Sequence, residues 1–257
     1  MLVLLSCAKT MSAVSKVKVP LTTSPRFQKE AAEIALQMSQ FSVDELERLL
    51  RVNAKIAVEN YKRYQAFHAE ATPELPALLA YTGIVFKRLN PKDFSAEDFG
   101  YAQEHLRLTS FCYGLLRPLD VIRAYRLEGD VVLPELGNQT MFSYWQSRLT
   151  DIFIEDIKNA GGILCNLASD EMKSLFDWKR VEKEVRVITP GFQVWKNGKW
   201  ASVVIYIKMS RGEMTRFVLK NKIENPEELK HFSWEGFEFD ESLSDEKKFV
   251  FTNGKEI

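Results

Sequence analysis

Long apolar runs are missing from this chain, and so is an excess of charge of either sign. No hydrophobic stretch approaches the roughly 18–20 residues that span a bilayer, so no membrane-spanning helix is expected. The opening MLVLLS has no basic n-region and only a short apolar segment, so no secretory signal is expected either. The 35 basic and 35 acidic side chains cancel, and no global field draws the protein to nucleic acid or membrane. The three cysteines, Cys7, Cys112 and Cys165, have no C-x-x-C spacing. An odd, unpaired set fits a reducing compartment and a cytoplasmic location. His68, His105 and His231 show no metal-ligand spacing, and neither a metal site nor a cofactor is expected. Glycine-rich phosphate loops of the P-loop or dinucleotide type are absent, and Gly161-Gly162 reads as a turn.

What is present is enough to build a sizeable core: 257 residues with 46% apolar side chains. No repeat, low-complexity linker or composition break divides the chain, so one domain over 1–257 is expected. The neutral sum hides an uneven spread. Residues 173–216 hold ten Lys/Arg against four acids, and 223–257 hold ten acids against four Lys. This permits a basic face with an acidic C-terminal segment; solvated surface charge is the plainer reading.

Local patterns alternate between strands and helices. Leu2–Leu5 reads as a buried strand, followed by the polar turn Ser6–Thr10 and a proline-punctuated loop over 16–25. Phe27, Ala31, Ile34, Ala35 and Met38 keep a 3.6-residue period. Ser42 with Glu45 forms a capping box ahead of the next helix, and a third helix follows to about Phe67. Leu78–Leu89 is apolar and of undecided type. Ser95 with Asp98 caps a helix entering 101–120. Gln139–Asn159 is amphipathic, Ile163–Leu167 a strand, Ser169–Glu171 the cap of a short helix reaching Trp178, and Val185–Ile188 a strand. Asn197-Gly198 between FQVWK and KWASVVIYI predicts a type I′ β-hairpin over 192–207, then a helix from about Gly212 to Asn221. The sum is an α/β (mixed α+β) fold, a central mixed sheet flanked by helices.

Three apolar strands end in polar turns: Leu5 into Ser6–Thr10, Leu167 into Ala168–Glu171, and Ile207 into Lys208–Gly212. Ligand sites in α/β sheets lie at the carboxyl ends of strands. If these strands are neighbours, Ser6, Lys9, Asn166, Ser169, Glu171, Lys208, Arg211 and Arg216 face one cleft, with Arg117, Arg123 and Arg126 as its opposite wall. Such a cleft suits phosphate. Ser6-Cys7-Ala8-Lys9 also matches S-x-x-K, in which a Lys activates a Ser nucleophile, but the companion S-D-N and K-T-G elements are absent. A redox cluster of the cysteines competes with the plainer reading of buried, hydrophobe-like thiols.

The stretch 101–130 concentrates charge and aromatics. Around Tyr113-Gly114 it is read as a possible helix–hairpin–helix over 101–120, whose backbone would grip a DNA phosphate; a simple packing corner is the alternative. Arg117, Asp120, Arg126 and Glu128 could instead form a structural ion-pair network.

Seven segments together resemble the YaaA family of bacterial peroxide-stress proteins: LLSCAKT at 4–10, PLTT at 20–23, FSAEDFGYAQEHLR at 94–107, YGLLRPLD at 113–120, YRLE at 125–128, NLASDE at 166–171 and RGEMTRF at 211–217. The resemblance implies a compact α/β fold peculiar to the family and a cytosolic protein that limits free iron during peroxide stress. It also implies that a basic cleft and a helix–hairpin–helix bind double-stranded or structured DNA. The chain departs from the family pattern at Cys7, Ile84, Phe111-Cys112 and Met209. The other function weighed is an enzyme acting on a nucleotide or other phosphate-bearing small molecule. In that reading Lys9, Lys208 and Arg211 hold the anion, and Glu171 or Asp120 moves a proton.

Overall fold

The computed structural model describes residues 1–254; the end of the acidic segment, 255–257, lies outside the described residues. Nine strands carry the two principal sheets: β1 Leu2–Leu5, β2 Leu106–Ser110, β3 Gly114–Leu116, β4 Ile163–Asn166, β5 Arg186–Ile188, β6 Gly191–Lys196, β7 Lys199–Ala201, β8 Glu238–Phe239 and β9 Val250–Asn253. The helices are α1 Gln28–Met38, α2 Val43–Leu50, α3 Ala54–Ala66, α4 Ala77–Ala80, α5 Ile84–Leu89, α6 Ala96–His105, α7 Met141–Asn159, α8 Asp170–Lys173, α9 Trp178–Glu184 and α10 Val204–Asn221.

The central sheet runs β3-β2-β1-β4-β5. β2, β1, β4 and β5 are parallel, and β3 returns antiparallel beside β2, so the sheet is mixed. β1 is at its centre with every residue buried, which explains its unbroken apolar run: a parallel strand covered on both faces has no solvent side to alternate with. From β1 the chain goes to β2 on one side and later to β4 on the other. The β1–β4 boundary is therefore the switch point, where side chains and loops at the carboxyl ends diverge and leave a crevice. The second sheet, β7-β6-β9-β8, packs its aromatic face (Phe192 stacked on Phe251 at 5.6 Å) against Phe232 and Phe237.

Both capping boxes form as expected, Ser42 with Glu45 and Ser95 with Asp98. Asn197 and Gly198 adopt the two positive φ values, 53° and 74°, of a type I′ turn. Two readings are corrected. The first is the helix–hairpin–helix over 101–120. α6 stops at His105, and Leu106–Ser110 and Gly114–Leu116 are paired strands of the central sheet. Arg107 makes the strand look like amphipathic helix in sequence, yet it is buried, its Nε donating to Asp156 at 2.7 Å. Gly114 (φ +70°) lies under the Trp145 ring, and Phe111 packs edge-on to Phe142. The turn is thus hydrophobic core and offers no free backbone to a phosphate.

The second correction concerns 202–212. The strand ends at Ala201, and the β-branched run from Val204 is already helix α10. Val204 and Ile205 are themselves exposed; the helix is fixed further on, where α10 packs on α5 and Gly212 sits directly on the Val85 carbonyl, and that packing outweighs the propensity of its first turn. α9 was not anticipated; Asp177 caps it through a bond from Arg180 N–H. Among the described residues no helix is long and apolar enough to cross a membrane.

Candidate functional site

At the switch point the polar turns after β1 and β4 meet. Ser169 N–H donates to Ser6 Oγ at 2.9 Å, and the Ser6 hydroxyl donates to Ser169 Oγ at 3.3 Å. Ser169 occupies the N-cap position of α8, but Ser6 engages its hydroxyl and no side-chain cap bond forms. Gly83 completes the junction: a Cβ there would stand 2.9 Å from Ala8 Cβ, so the β1 exit turn can press onto the start of α5 only at a glycine.

Over this junction opens a cleft of about 400 Å³, within the range of small-molecule sites. One wall is the turn Ser6–Thr10; another is Ser169, Glu171 and Met172. Lys208 and Arg211 of α10 close a third side, and Arg126 and Glu128 a fourth. Phe86, Phe111 and Tyr125 supply apolar surface. The lining thus holds four cations (Lys9, Arg126, Lys208, Arg211) against two carboxylates (Glu128, Glu171).

Glu128 is buried and serves two of the cations. Lys9 Nζ donates to its Oε2 at 2.7 Å, and Arg126 Nη2 stands 3.1 Å from its Oε1 without hydrogen-bond alignment. Lys208 and Arg211 form no ion pair among the described residues. The Nε–H groups of Arg126 and Arg211 are both buried without an acceptor. Burial also lowers the Arg211 guanidinium from its ordinary value, opposed by the charge of Asp170; a guanidinium remains charged at any physiological pH even so. Glu171 is exposed and forms no ion pair among the described residues. The arrangement can therefore hold an anion by charge and by directed N–H groups.

The sequence expectation of co-location holds for Ser6, Lys9, Ser169, Glu171, Lys208, Arg211 and Arg126, and fails elsewhere. Arg117 and Asp120 pair with each other at 3.0 Å, and Asp120, buried, also accepts from Thr23 at 2.6 Å, so neither reaches the cleft. Arg123 pairs with Glu74 and the Phe67 carbonyl. Arg216 pairs with Asp93 and ties α10 to the carbonyls of Leu89 and Asn90. Tyr113 is buried, its hydroxyl accepting from Arg123 N–H. Asn166 braces the β4 exit through Ala168 N–H and Thr189. The structural ion-pair reading is thus right in kind but splits in two: Arg117–Asp120 locks a loop, while Arg126–Glu128 belongs to the cleft. The apolar wall from α5 had no sequence signal beyond the glycine that opens it.

The S-x-x-K pattern does not operate as a nucleophile pair, since Lys9 turns to Glu128 and Ser6 to Ser169. The thiol reading also fails on chemistry. Burial pushes the Cys7 thiol up to about 12, which keeps it in the unreactive thiol form at pH 7. Cys112 and Cys165 are wholly buried and likewise raised. Native protein treated with iodoacetamide at pH 7 should label negligibly at Cys7, with the rate rising about tenfold per pH unit toward 12. Rapid labelling at pH 7 would reinstate a reactive cysteine.

A family model described as "Peroxide stress protein YaaA" matches residues 1–243. The chain is 91% identical over 254 residues to a UPF0246 protein of Bacteroides thetaiotaomicron, covering 99% of each. It is 50% identical over 253 residues to a UPF0246 protein of Porphyromonas gingivalis, covering 98% of this chain and 99% of the relative. Over 255 residues it is 33% identical to another from Saccharophagus degradans, again covering 98% and 99%. With a full-length match of this order and the motif-bearing turns assembled around one cleft, the chain belongs to the YaaA peroxide stress protein family.

Proposed function

We propose that this protein serves the peroxide-stress response by binding a phosphate-bearing ligand of nucleotide size in the switch-point cleft. The observation that carries this reading is the unpaired state of Lys208 and Arg211, together with two buried guanidinium N–H groups that lack acceptors in the same cleft. Buried donors without partners are destabilising, and an anion seated among them would offset that penalty. The arginines that would extend a basic track for a duplex, Arg117, Arg123 and Arg216, are each neutralised by a carboxylate elsewhere. Turnover of the ligand, with Glu171 as the proton-transferring group, is compatible with this placement.

The second reading is DNA binding by a cytosolic protein that protects against iron-dependent oxidation. It would use the same cleft as a grip on a backbone phosphate, and the exposed Lys9 and Lys208 at its mouth favour it. Parallel titrations separate the two. A nucleotide-sized ligand should bind saturably with a shallow salt dependence. A duplex that neutralises several phosphates should lose on the order of 10³–10⁵ in affinity between 50 and 200 mM salt. Steep duplex binding without nucleotide binding would overturn the first reading.

A further inference from the structure

A second, larger groove lies beside the cleft, and no part of the proposed function uses it. Its volume is about 850 Å³. The segment from Ser12 to Lys18 forms one wall, and α4, α5 and the turn at Asn90–Lys92 form the other. The floor is apolar: Leu78, Leu79, Phe86 and Phe94 line it. Along the rim stand Lys16, Lys18, Lys87 and Lys92, all exposed. No acidic side chain lines the groove, and none of the four lysines forms an ion pair among the described residues.

The absence of acids sets this groove apart from the neighbouring cleft, which Glu128 and Glu171 line. Four like charges around one groove give it a positive potential that attracts an anion, the more so at low salt. The wall segment is tied to the rest of the chain by few backbone bonds, with Val17 packed against the core. Ser12 N–H donates to the Ala80 carbonyl at 2.8 Å, and Thr23 N–H donates to that of Leu119 at 2.9 Å. Between these ties, the bonds of Val14 and Val17 N–H run only to Ser12 and Ser15 within the segment itself. Val14 is 79% exposed above the groove. A valine so placed gains by covering an apolar guest.

We propose that this groove binds a small amphiphilic anion, an alkyl or acyl chain with a phosphate or carboxylate head. The chain lies on Leu78, Leu79, Phe86 and Phe94, the head meets the rim lysines, and Val14 of the Ser12–Lys18 wall covers it. The volume suits a small molecule rather than a partner helix, and the absence of acids selects against cationic and zwitterionic guests.

The test is calorimetric titration of the full chain with monomeric dodecyl phosphate, below its micelle concentration, and with dodecyltrimethylammonium as the opposite-charge control. Saturable binding of the phosphate alone is expected. Lys16→Glu/Lys18→Glu, both exposed and unpaired, should weaken it at least tenfold with unchanged thermal stability. Leu79→Gln should weaken it through the floor, whereas Arg211→Met, in the other cleft, should not. Equal binding of the cationic detergent would overturn the proposal, as would indifference to the charge reversal. So would capture only by anionic vesicles, which would make the rim a lipid-surface contact, or displacement by duplex DNA that is insensitive to Leu79→Gln.

Discussion

Arg211→Met is expected to lower affinity for a phosphate ligand, assayed with a nucleoside monophosphate and with pyrophosphate, roughly ten- to hundredfold. That range is the equivalent of about 1.5–3 kcal/mol for a hydrogen bond to a charged group. The same variant should keep its melting temperature or gain slightly. Among the described residues Arg211 has no carboxylate partner and its Nε–H is buried without an acceptor, and burial already disfavours its charge. Removing such a group relieves a penalty in the ligand-free protein, while methionine keeps most of the apolar stem. A structural arginine behaves in the opposite way. Arg107→Met would leave the buried Asp156 carboxylate, which Arg107 holds at 2.7 Å, with only the half-exposed Arg26 at 3.3 Å, and should destabilise by about 2–4 kcal/mol, less than the loss of a sole partner. The two melting curves therefore distinguish a binding cation from a scaffolding one. Arg117→Ala, whose partner Asp120 lies outside the cleft, should leave phosphate affinity within about twofold. A fall in stability for Arg211→Met without a change in affinity would return Arg211 to the scaffold.

The residues that were legible in advance were those whose signal is local or topological. The Ser42–Glu45 and Ser95–Asp98 boxes are four-residue devices that need no tertiary context. Asn197-Gly198 specifies its own turn. The meeting of Ser6 with Ser169 followed from one rule about the carboxyl ends of parallel strands, and the cleft assembled around it. What was not legible depended on distant partners. Arg107 reads as a surface residue until Asp156, 49 positions on, is placed beside it. Leu106–Ser110 therefore reads as helix in sequence, and the helix–hairpin–helix expectation depends on that reading. Arg123 and Arg216 look like free cations in sequence, and only the fold brings Glu74 and Asp93 to them. Charge in sequence thus overstates the basic surface, and nothing local marks Glu128 as a cleft residue, because its partner Lys9 lies 119 positions away.

Gly212→Ala should show how far the cleft depends on a backbone contact that touches no ligand. In an ordinary helix this change stabilises by up to about 1 kcal/mol, since alanine is the better helix former. Gly212 is different because α10 crosses α5 there. A Cβ would fall inside contact distance of the Val85 carbonyl oxygen, 3.1 Å from that carbonyl's carbon and 2.7 Å from Arg88 Cβ. The obstacle is main chain and Cβ, which cannot swing aside as a side-chain tip can. Overpacking of this kind typically costs about 1–3 kcal/mol and more when backbone must move, so it outweighs the propensity gain. The expected net loss is roughly 1–3 kcal/mol, read as a fall in melting temperature of about 2–4 °C per kcal/mol for a chain of this size. Relief of the clash requires α10 to back away from α5. Arg211 is the neighbouring residue and Lys208 lies one turn earlier on the same helix, while Ile84 to Phe86 of α5 form the facing wall. Phosphate affinity should therefore drop together with stability, although no lining side chain has been altered. A melting temperature equal to or above that of the parent would mean that the two helices are not held at this crossing, and the placement of Lys208 and Arg211 over the switch point would lose its support.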